Sequence, residues 1–379
     1  MSCQAPTCQK AGRVEAPACL LAGRGLDPAE VCLLDIGLLG MLCEPRSLVS
    51  TMTSGSPTPY PIGTPGTPWD AVDKATWLSR QRVQRSYTAE VLVPLQTRLP
   101  AQAEMFQYGV LDYARFGLGS YPLYAVRGRQ WKPNHPVVVV TGGVHGYETS
   151  GVQGALRWIQ QDFDNHAGAM NLLVLPCVSP WGYETINRWN PEALDPNRQF
   201  KQDSPAAESA LAMACVSANC KRVDVHVDLH ETTDTDNSEF GPAKAARDGV
   251  PFDRHDIPDG FYLVGDSERP VPEFQRALID AVRRVTHIAA PDEHGSIIGT
   301  PIQQAGVINF AKRSLGLCGG MTGARFVTTT EVYPDSRTAD PAQCNEAQVV
   351  AVNAAIDYLR HSLSAEDPTK IIGSVREGR

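Results

Sequence analysis

From residue 69 onward, short β-branched runs alternate with longer segments of helical periodicity, and this alternation limits the possible folds more than any other feature. Residues 137–141 form a continuous apolar and β-branched run, which is typical of a strand buried on both faces of a sheet. Further strand-like runs begin at Asn171, Val223 and Phe326, with amphipathic segments between them. The alternation predicts an α/β sandwich around a largely parallel, covered sheet, with functional groups at the strand ends.

The composition of the chain predicts three regions. Residues 1–68 mix Cys, Gly and Pro with short apolar runs, and 52–68 are rich in Pro, Gly, Ser and Thr. Such a segment cannot bury enough surface to order itself, so we expect a disordered extension over 1–68, with Met52 as a candidate for the true start. One folded domain is expected over 69–365, followed by a loose tail over 366–379.

Charge and cysteine usage narrow the class of partner and the compartment. The net charge of −8 argues against nucleic acid or an anionic membrane as a partner. No run of about 18 uncharged apolar residues is present, so we expect no membrane span. The ten cysteines lack the paired spacing of a structural zinc site, and we interpret them as reduced thiols of a cytoplasmic protein.

Two segments that follow predicted strands carry histidine and carboxylate side chains. His145 and Glu148 stand three residues apart in a glycine-rich turn, where they could meet one metal ion or could simply be solvated. Residues 223–230 alternate apolar and polar, so two aspartates, His226 and His230 share one face of a strand. His230 ends the strand, whereas His226 lies about 13 Å back along it, which favours a hydrogen-bonded structural role for His226.

Two weaker signals come from a late strand and from a long loop. Residues 328–331 form a β-rich run that ends in Glu331, although an acid at a strand end is usually only solvated. The loop over 180–198 holds Arg188 and Arg198. Guanidinium groups match carboxylates in geometry, so this loop could bind an anion or could be a surface turn.

The motifs HGYE, NRWN…DPNRQF, DLHE and TTTEVYP occur in this order and together resemble the zinc carboxypeptidase superfamily, over residues 100–360. Each motif alone is weak, but the ordered set is specific. GGVHGYETSG and DLHETT are similar to the bacterial branch that includes succinylglutamate desuccinylase and aspartoacylase. SPWGYE…DPNRQF is more similar to true carboxypeptidases, so the branch is open at this point.

The resemblance implies a three-layer α/β/α sandwich around a mixed, mostly parallel twisted sheet, with one catalytic zinc ion per chain. The implied zinc ligands are His145, Glu148 and His230, which leave a fourth position for water. Glu331 matches the general base, and Arg188 matches the group that stabilises the oxyanion.

The same resemblance assigns the DPNR segment. Asn197 and Arg198 match the clamp for the free carboxylate of the substrate, and Asp195 is expected to accept a hydrogen bond from His145. Pro196 departs from the usual residue in this element. The resemblance also implies a tyrosine on a mobile loop over the site; no tyrosine aligns with it clearly, and Tyr262 and Tyr333 are the candidates. The loops over 232–260 and 294–325 are expected to cover the site.

Three functions fit these residues. The first is a metallocarboxypeptidase that removes a C-terminal residue from a peptide, and the second is an N-acyl amino acid amidohydrolase. The third is a non-catalytic zinc-binding protein, which the presence of both Glu331 and Arg188 disfavours. The residues around Arg188 and Arg198 favour the peptidase.

Overall fold

The computed structural model describes residues 60–366. The expectations for the residues before Tyr60, including Met52 as a start, and for the tail beyond residue 366 lie outside the described residues. The described part begins before the predicted domain boundary at Trp69. Ile62 is buried, and the indole Nε1 of Trp69 donates to the Ile62 carbonyl at 3.2 Å, so this short segment packs onto the domain.

An eight-stranded mixed sheet forms the centre of the domain, in the strand order β1-β2-β4-β3-β5-β10-β6-β9. Its central strands β4, β3, β5 and β10 are parallel to one another, and β2 and β6 join this group antiparallel on either side. A short hairpin of β7 and β8 is separate. The strands are β1 (Ala103–Asp112), β2 (Ser120–Gly128), β3 (Val137–Gly142), β4 (Asn171–Leu175), β5 (Val225–Glu231), β6 (Tyr262–Asp266), β7 (Ser296–Ile297), β8 (Thr300–Pro301), β9 (Val307–Phe310) and β10 (Phe326–Val332).

Helices cover both faces of this sheet. Val138 and Val140 of β3 pack in one cluster with α3, α8 and α9, whereas Val137 and Val139 pack on the opposite face with α6. The three-layer α/β/α fold predicted from the sequence is therefore confirmed. The α-helices within residues 60–366 are α1 (Ala71–Arg80), α2 (Val93–Thr97), α3 (Thr149–Gln161), α4 (Phe163–Ala167), α5 (Pro180–Thr185), α6 (Ala207–Asn219), α7 (Gly241–Asp248), α8 (Pro272–Val282) and α9 (Pro341–Glu366).

The sheet register brings the ends of three parallel strands to one edge. Gly142 at the end of β3 pairs with Leu229 of β5, and Glu331 of β10 pairs with His230 of β5. Side chains that follow β3, and those at the ends of β5 and β10, therefore meet at the same place. This edge is where α/β proteins bind their ligands.

The structure differs from the sequence prediction in three segments. The apolar spacing over residues 69–99 predicts one helix, but α1 ends at Arg80 and the chain then runs extended beside the end of α5 and the residues that follow it. The expected loop over 232–260 contains α7, whose Ala243 and Ala245 are buried, and the expected loop over 294–325 contains β9. Both segments are stabilised by packing on distant parts of the chain, which local periodicity does not report.

None of the helices within residues 60–366 combines the length and the apolar character needed to cross a membrane. The cysteines of the same region are free, buried thiols: Cys177, Cys215, Cys220, Cys318 and Cys344.

Candidate active site

The turn after β3 carries the first two candidate ligands, and a close approach of two loops fixes its path. A Cβ atom on Gly146 would lie 2.0 Å from the carbonyl carbon of Gly182, so only glycine fits at position 146. Glu148 stands directly before the first residue of α3. The turn therefore presents both side chains toward the end of β5.

His145, Glu148 and His230 form one buried cluster. Nδ1 of His145 lies 2.6 Å from Oε1 of Glu148, and Nδ1 of His230 lies 2.7 Å from Oε2 of the same carboxylate. The three ligand atoms lie within 4.8 Å of one another. Two imidazole nitrogens and one carboxylate oxygen are a donor set that suits zinc and leaves a position open for water.

The outward-facing nitrogen of each histidine has its own carboxylate partner. Nε2 of His145 lies 2.9 Å from Oδ1 of Asp195, and Nε2 of His230 lies 2.9 Å from Oδ2 of Asp228. With a metal ion bound at Nδ1 of each ring, the Nε2–H would donate outward to this carboxylate. The alternation along β5 predicts that Asp228 shares the face of His230, but it does not predict that Asp228 is the partner of that ring.

Asp195 combines this contact with a capping role. Its Oδ1 also accepts from the backbone N–H of Asn197 at 2.9 Å, which begins the short turn after Pro196. Its Oδ2 accepts from Nε of Arg188 at 3.1 Å. Burial alone would raise the pKa of Asp195, but the charges of Arg188 and His145 lower it well below its usual value. The carboxylate is therefore ionised where His145 needs an acceptor.

Glu148 is also held in its ionised form. Burial opposes its charge, but the adjacent His230 and His145 lower its pKa to about 2. A buried, ionised carboxylate between two imidazoles stabilises a cation at this position.

Glu331 lies beside the cluster at the end of β10. Its Oε2 accepts from Oγ1 of Thr232 at 2.9 Å, and Thr232 in turn contacts the hydroxyl of Tyr262 at 2.7 Å. Burial and the neighbouring Glu148 carboxylate raise the pKa of Glu331 to about 8. A divalent cation on the cluster would lower this pKa, which brings Glu331 into the range of a general base near neutral pH.

Arg188 is positioned by side chains that the sequence analysis did not identify. Its Nη1 donates to the hydroxyl of Tyr147 at 3.0 Å and to Oδ1 of Asp236 at 3.2 Å. Burial disfavours the charge of Arg188, but Asp195, Tyr147 and Asp236 raise its pKa well above the usual value. Its Nη2 makes no hydrogen bond to the residues in the described range, so one face of the guanidinium remains available to a ligand.

Asn197 and Arg198 reach the same space from the DPNR turn. Oδ1 of Asn197 accepts from the backbone N–H of Cys318 at 2.8 Å, which ties the turn to the loop before β10. Nη1 of Arg198 donates to the Asn197 carbonyl at 2.7 Å. No carboxylate within residues 60–366 forms an ion pair with Arg198, so its charge is free for an anionic ligand.

A cavity of about 230 Å³ lies between the candidate site residues. It is polar near His145 and Glu331 and apolar on the walls contributed by Phe240 and by residues of β6 and β9. Its lining includes His145, Glu148, Arg188, Asn197, Arg198, Thr232, Asp236, Phe240, Lys244, Ile257, Tyr262, Val264, Ile298, Phe310, Leu317, Thr329 and Glu331. The segments expected to cover the site thus line it.

His226 lies apart from the ligand cluster, as its position along β5 predicted. It groups with Asp228 and Cys318, and the hydroxyl of Thr141 lies among these three side chains. That hydroxyl contacts Nε2 of His226 at 3.0 Å and donates to Oδ1 of Asp228 at 2.6 Å. The Thr141 hydroxyl already hydrogen-bonds His226, Asp228 and Cys318, so this second group is a hydrogen-bonded network that holds Asp228 in place.

The two candidate lid tyrosines differ in position. Tyr262 is buried and lines the cavity, with its hydroxyl on Thr232. The hydroxyl of Tyr333 donates to Oδ1 of Asp234 at 2.9 Å, and Tyr333 does not line the cavity. A third tyrosine, Tyr147, also lies near the site, where its hydroxyl accepts a hydrogen bond from Arg188.

Comparison with known proteins gives an independent result. The family model of the succinylglutamate desuccinylase/aspartoacylase catalytic domain matches residues 134–249, which include both candidate histidine ligands. The resemblance to the zinc carboxypeptidase-like superfamily, close to this branch, is confirmed. None of the curated proteins compared with this chain matches it in sequence.

Solved structures share the fold of this chain. A candidate metallopeptidase of Shewanella amazonensis SB2B is 20% identical, and the likeness covers 74% of this chain and 99% of that chain at a TM-score of 0.54. A candidate metallopeptidase of Shewanella denitrificans OS217 is 19% identical, with 72% and 88% of the chains covered and a TM-score of 0.53. At these identities the likeness shows the fold alone.

The contact between Asp195 and His145 leads to a testable prediction. We expect Asp195→Asn to weaken metal binding by about 10- to 100-fold, because an amide cannot accept from both His145 and Arg188. Zinc affinity measured by competition with a chelator, together with a thermal unfolding curve, tests this expectation. Asp357→Asn is the matched control, since Asp357 is exposed and pairs with Arg360 within α9. Wild-type zinc affinity in Asp195→Asn would show that Asp195 only caps its turn.

Proposed function

We propose that this protein is a zinc-dependent hydrolase that cleaves an amide bond next to a free carboxylate, and that it acts as a metallocarboxypeptidase on the C-terminal residue of a peptide. One observation carries the proposal. A single cavity is lined by His145 and Glu148 of the candidate metal cluster, by the carboxylate of Glu331 and by the guanidinium of Arg198. These are the groups required to bind a free carboxylate and hydrolyse the amide bond beside it.

The residues of this chain divide the reaction among themselves. Zinc on the cluster would supply an activated water and a Lewis acid. Glu331 takes the proton of the attacking water and passes it to the leaving amine. Arg188 directs its Nη2 toward the carbonyl oxygen that becomes negative in the transition state. Asn197 and Arg198 bind the carboxylate of the residue that leaves.

The apolar walls of the cavity support a peptide substrate. Phe240, Ile257 and Phe310 line it together with other apolar side chains, and such a surface favours an apolar side chain on the residue to be removed.

A second candidate function is an N-acyl amino acid amidohydrolase. The match of residues 134–249 to the succinylglutamate desuccinylase/aspartoacylase catalytic domain favours it.

A release assay separates the two functions. The zinc-loaded protein is incubated with a mixed library of peptides and N-acyl amino acids, with and without a chelator, and released amino acids are identified by mass spectrometry. Chelator-sensitive release from peptides supports the peptidase. Release from N-acyl amino acids alone supports the amidohydrolase, and release from neither would contradict both.

A further inference from the structure

Residues 81–87, here called the N-terminal strap, run along the outside of the two loops that carry the candidate site. The backbone N–H of Gln84 donates to the Glu184 carbonyl at 2.8 Å, and that of Tyr87 donates to Oε1 of Glu184 at 2.9 Å. The side chain of Asn187, next to Arg188, donates to Oε1 of Gln81 at 2.8 Å. The strap precedes the part of the chain that matches the family model.

Arg85 is the residue of the strap that reaches the metal-binding turn. Its Nη2 donates to the carbonyl of Gly146 at 2.7 Å, and its Nη1 donates to Oγ1 of Thr149 at 2.8 Å. Its Nε donates to the carbonyl of Tyr183 at 2.5 Å, and the guanidinium carbon lies 3.6 Å from the centre of the Tyr183 ring. One rigid group therefore joins the turn after β3, the first residue of α3 and a residue of α5.

These anchor points flank both candidate ligands of the turn. Gly146 follows His145 directly, and Thr149 follows Glu148 directly. The backbone N–H groups of Thr149 and Ser150 are bound from the inside by the carboxylate of Glu231, at 2.9 and 2.6 Å. Arg85 holds the same turn from the outside, so the turn is fixed from two directions.

We propose that Arg85 is a positioning residue that sets the separation of His145 and Glu148 for metal binding, an inference that rests on the proposed metal site. Metal–ligand distances tolerate changes of only about 0.2 Å. A turn that loses its outer anchor samples ligand separations outside that range, and the metal affinity falls. Removal of an outer-shell partner typically lowers metal affinity by about 10- to 100-fold.

The test uses the full chain and two readouts that need no substrate. We expect Arg85→Met to weaken Zn²⁺ affinity by about 10- to 100-fold in a chelator competition. We also expect it to change the visible absorption spectrum of the Co²⁺-substituted protein, which reports ligand geometry. Arg85→Lys should recover part of the affinity, because an ammonium group can still donate to Gly146 and Thr149. Arg82→Met is the matched control, since within residues 60–366 the guanidinium of Arg82 donates only to the carbonyls of Ser79 and Gln81.

Unchanged Zn²⁺ affinity with an unchanged Co²⁺ spectrum in Arg85→Met would overturn the inference. If Arg85→Met does not fold, Thr149→Val decides, because it removes one accepting group while it keeps the shape of the residue. A smaller loss of Zn²⁺ affinity supports the proposal, and wild-type affinity contradicts it. A wild-type protein that binds Zn²⁺ but cleaves no substrate would refute the proposed activity and leave this inference standing.

Discussion

His230→Ala is expected to remove zinc from the protein, and His145→Ala is expected to do the same, whereas the wild-type chain should hold about one zinc ion. Each substitution removes one of two imidazole donors from a set of three ligands, which changes both the number and the geometry of the donors. The loss of affinity should exceed the roughly 100-fold upper range for an outer-shell partner. Metal content after dialysis, measured by plasma mass spectrometry, tests this directly.

The matched control for both variants is His294→Ala, because His294 is 80% exposed and its imidazole pairs with the neighbouring Glu293. Thermal unfolding of all three variants without metal separates loss of a ligand from loss of the fold. Wild-type protein without zinc or a similar divalent ion after expression in zinc-containing medium would contradict the metal site. A His230→Ala variant that retains stoichiometric zinc would show that the ion is held elsewhere.

The convergence of these residues could be predicted because each follows or ends a strand of the central parallel group. His145 follows β3, His230 lies near the end of β5, and Glu331 lies near the end of β10. The strands β3, β5 and β10 are neighbours in the sheet, so side chains more than 80 residues apart in sequence meet at one edge. The apolar runs and the apolar–polar alternation in the sequence predict these strands and their ends, even though the conformation of the loops is not predicted.

Contacts made through irregular segments could not be predicted in the same way. Asp236, which binds Arg188, lies in a polar segment without periodicity, 48 residues from its partner. Arg85 contacts Gly146 across 61 residues from a stretch that resembles the end of a helix. Such contacts depend on where a loop ends in space, and hydrophobic patterns do not record that position.

Glu331→Gln tests the division of labour within the cavity. We expect the variant to keep its zinc and to lose about 100- to 10,000-fold in kcat, because an amide has nearly the same shape but cannot accept a proton. The amide oxygen can still accept from Thr232, so the end of β10 should keep its structure. KM should change little, since the groups proposed to bind the substrate carboxylate, Asn197 and Arg198, lie on a separate turn.

The result for Glu331→Gln is read with two measurements on the same preparation. Zinc content shows whether the cluster is intact, and single-turnover rates on the substrate found in the release assay show the chemical step. Glu104→Gln is the control, because Glu104 forms a surface pair with Arg127. Near wild-type turnover in Glu331→Gln would mean that another group accepts the proton. Without zinc, burial and the Glu148 carboxylate raise the pKa of Glu331 to about 8, so loss of zinc would also impair Glu331 as a base. The metal content must therefore be measured together with the rate to separate loss of zinc from loss of the base.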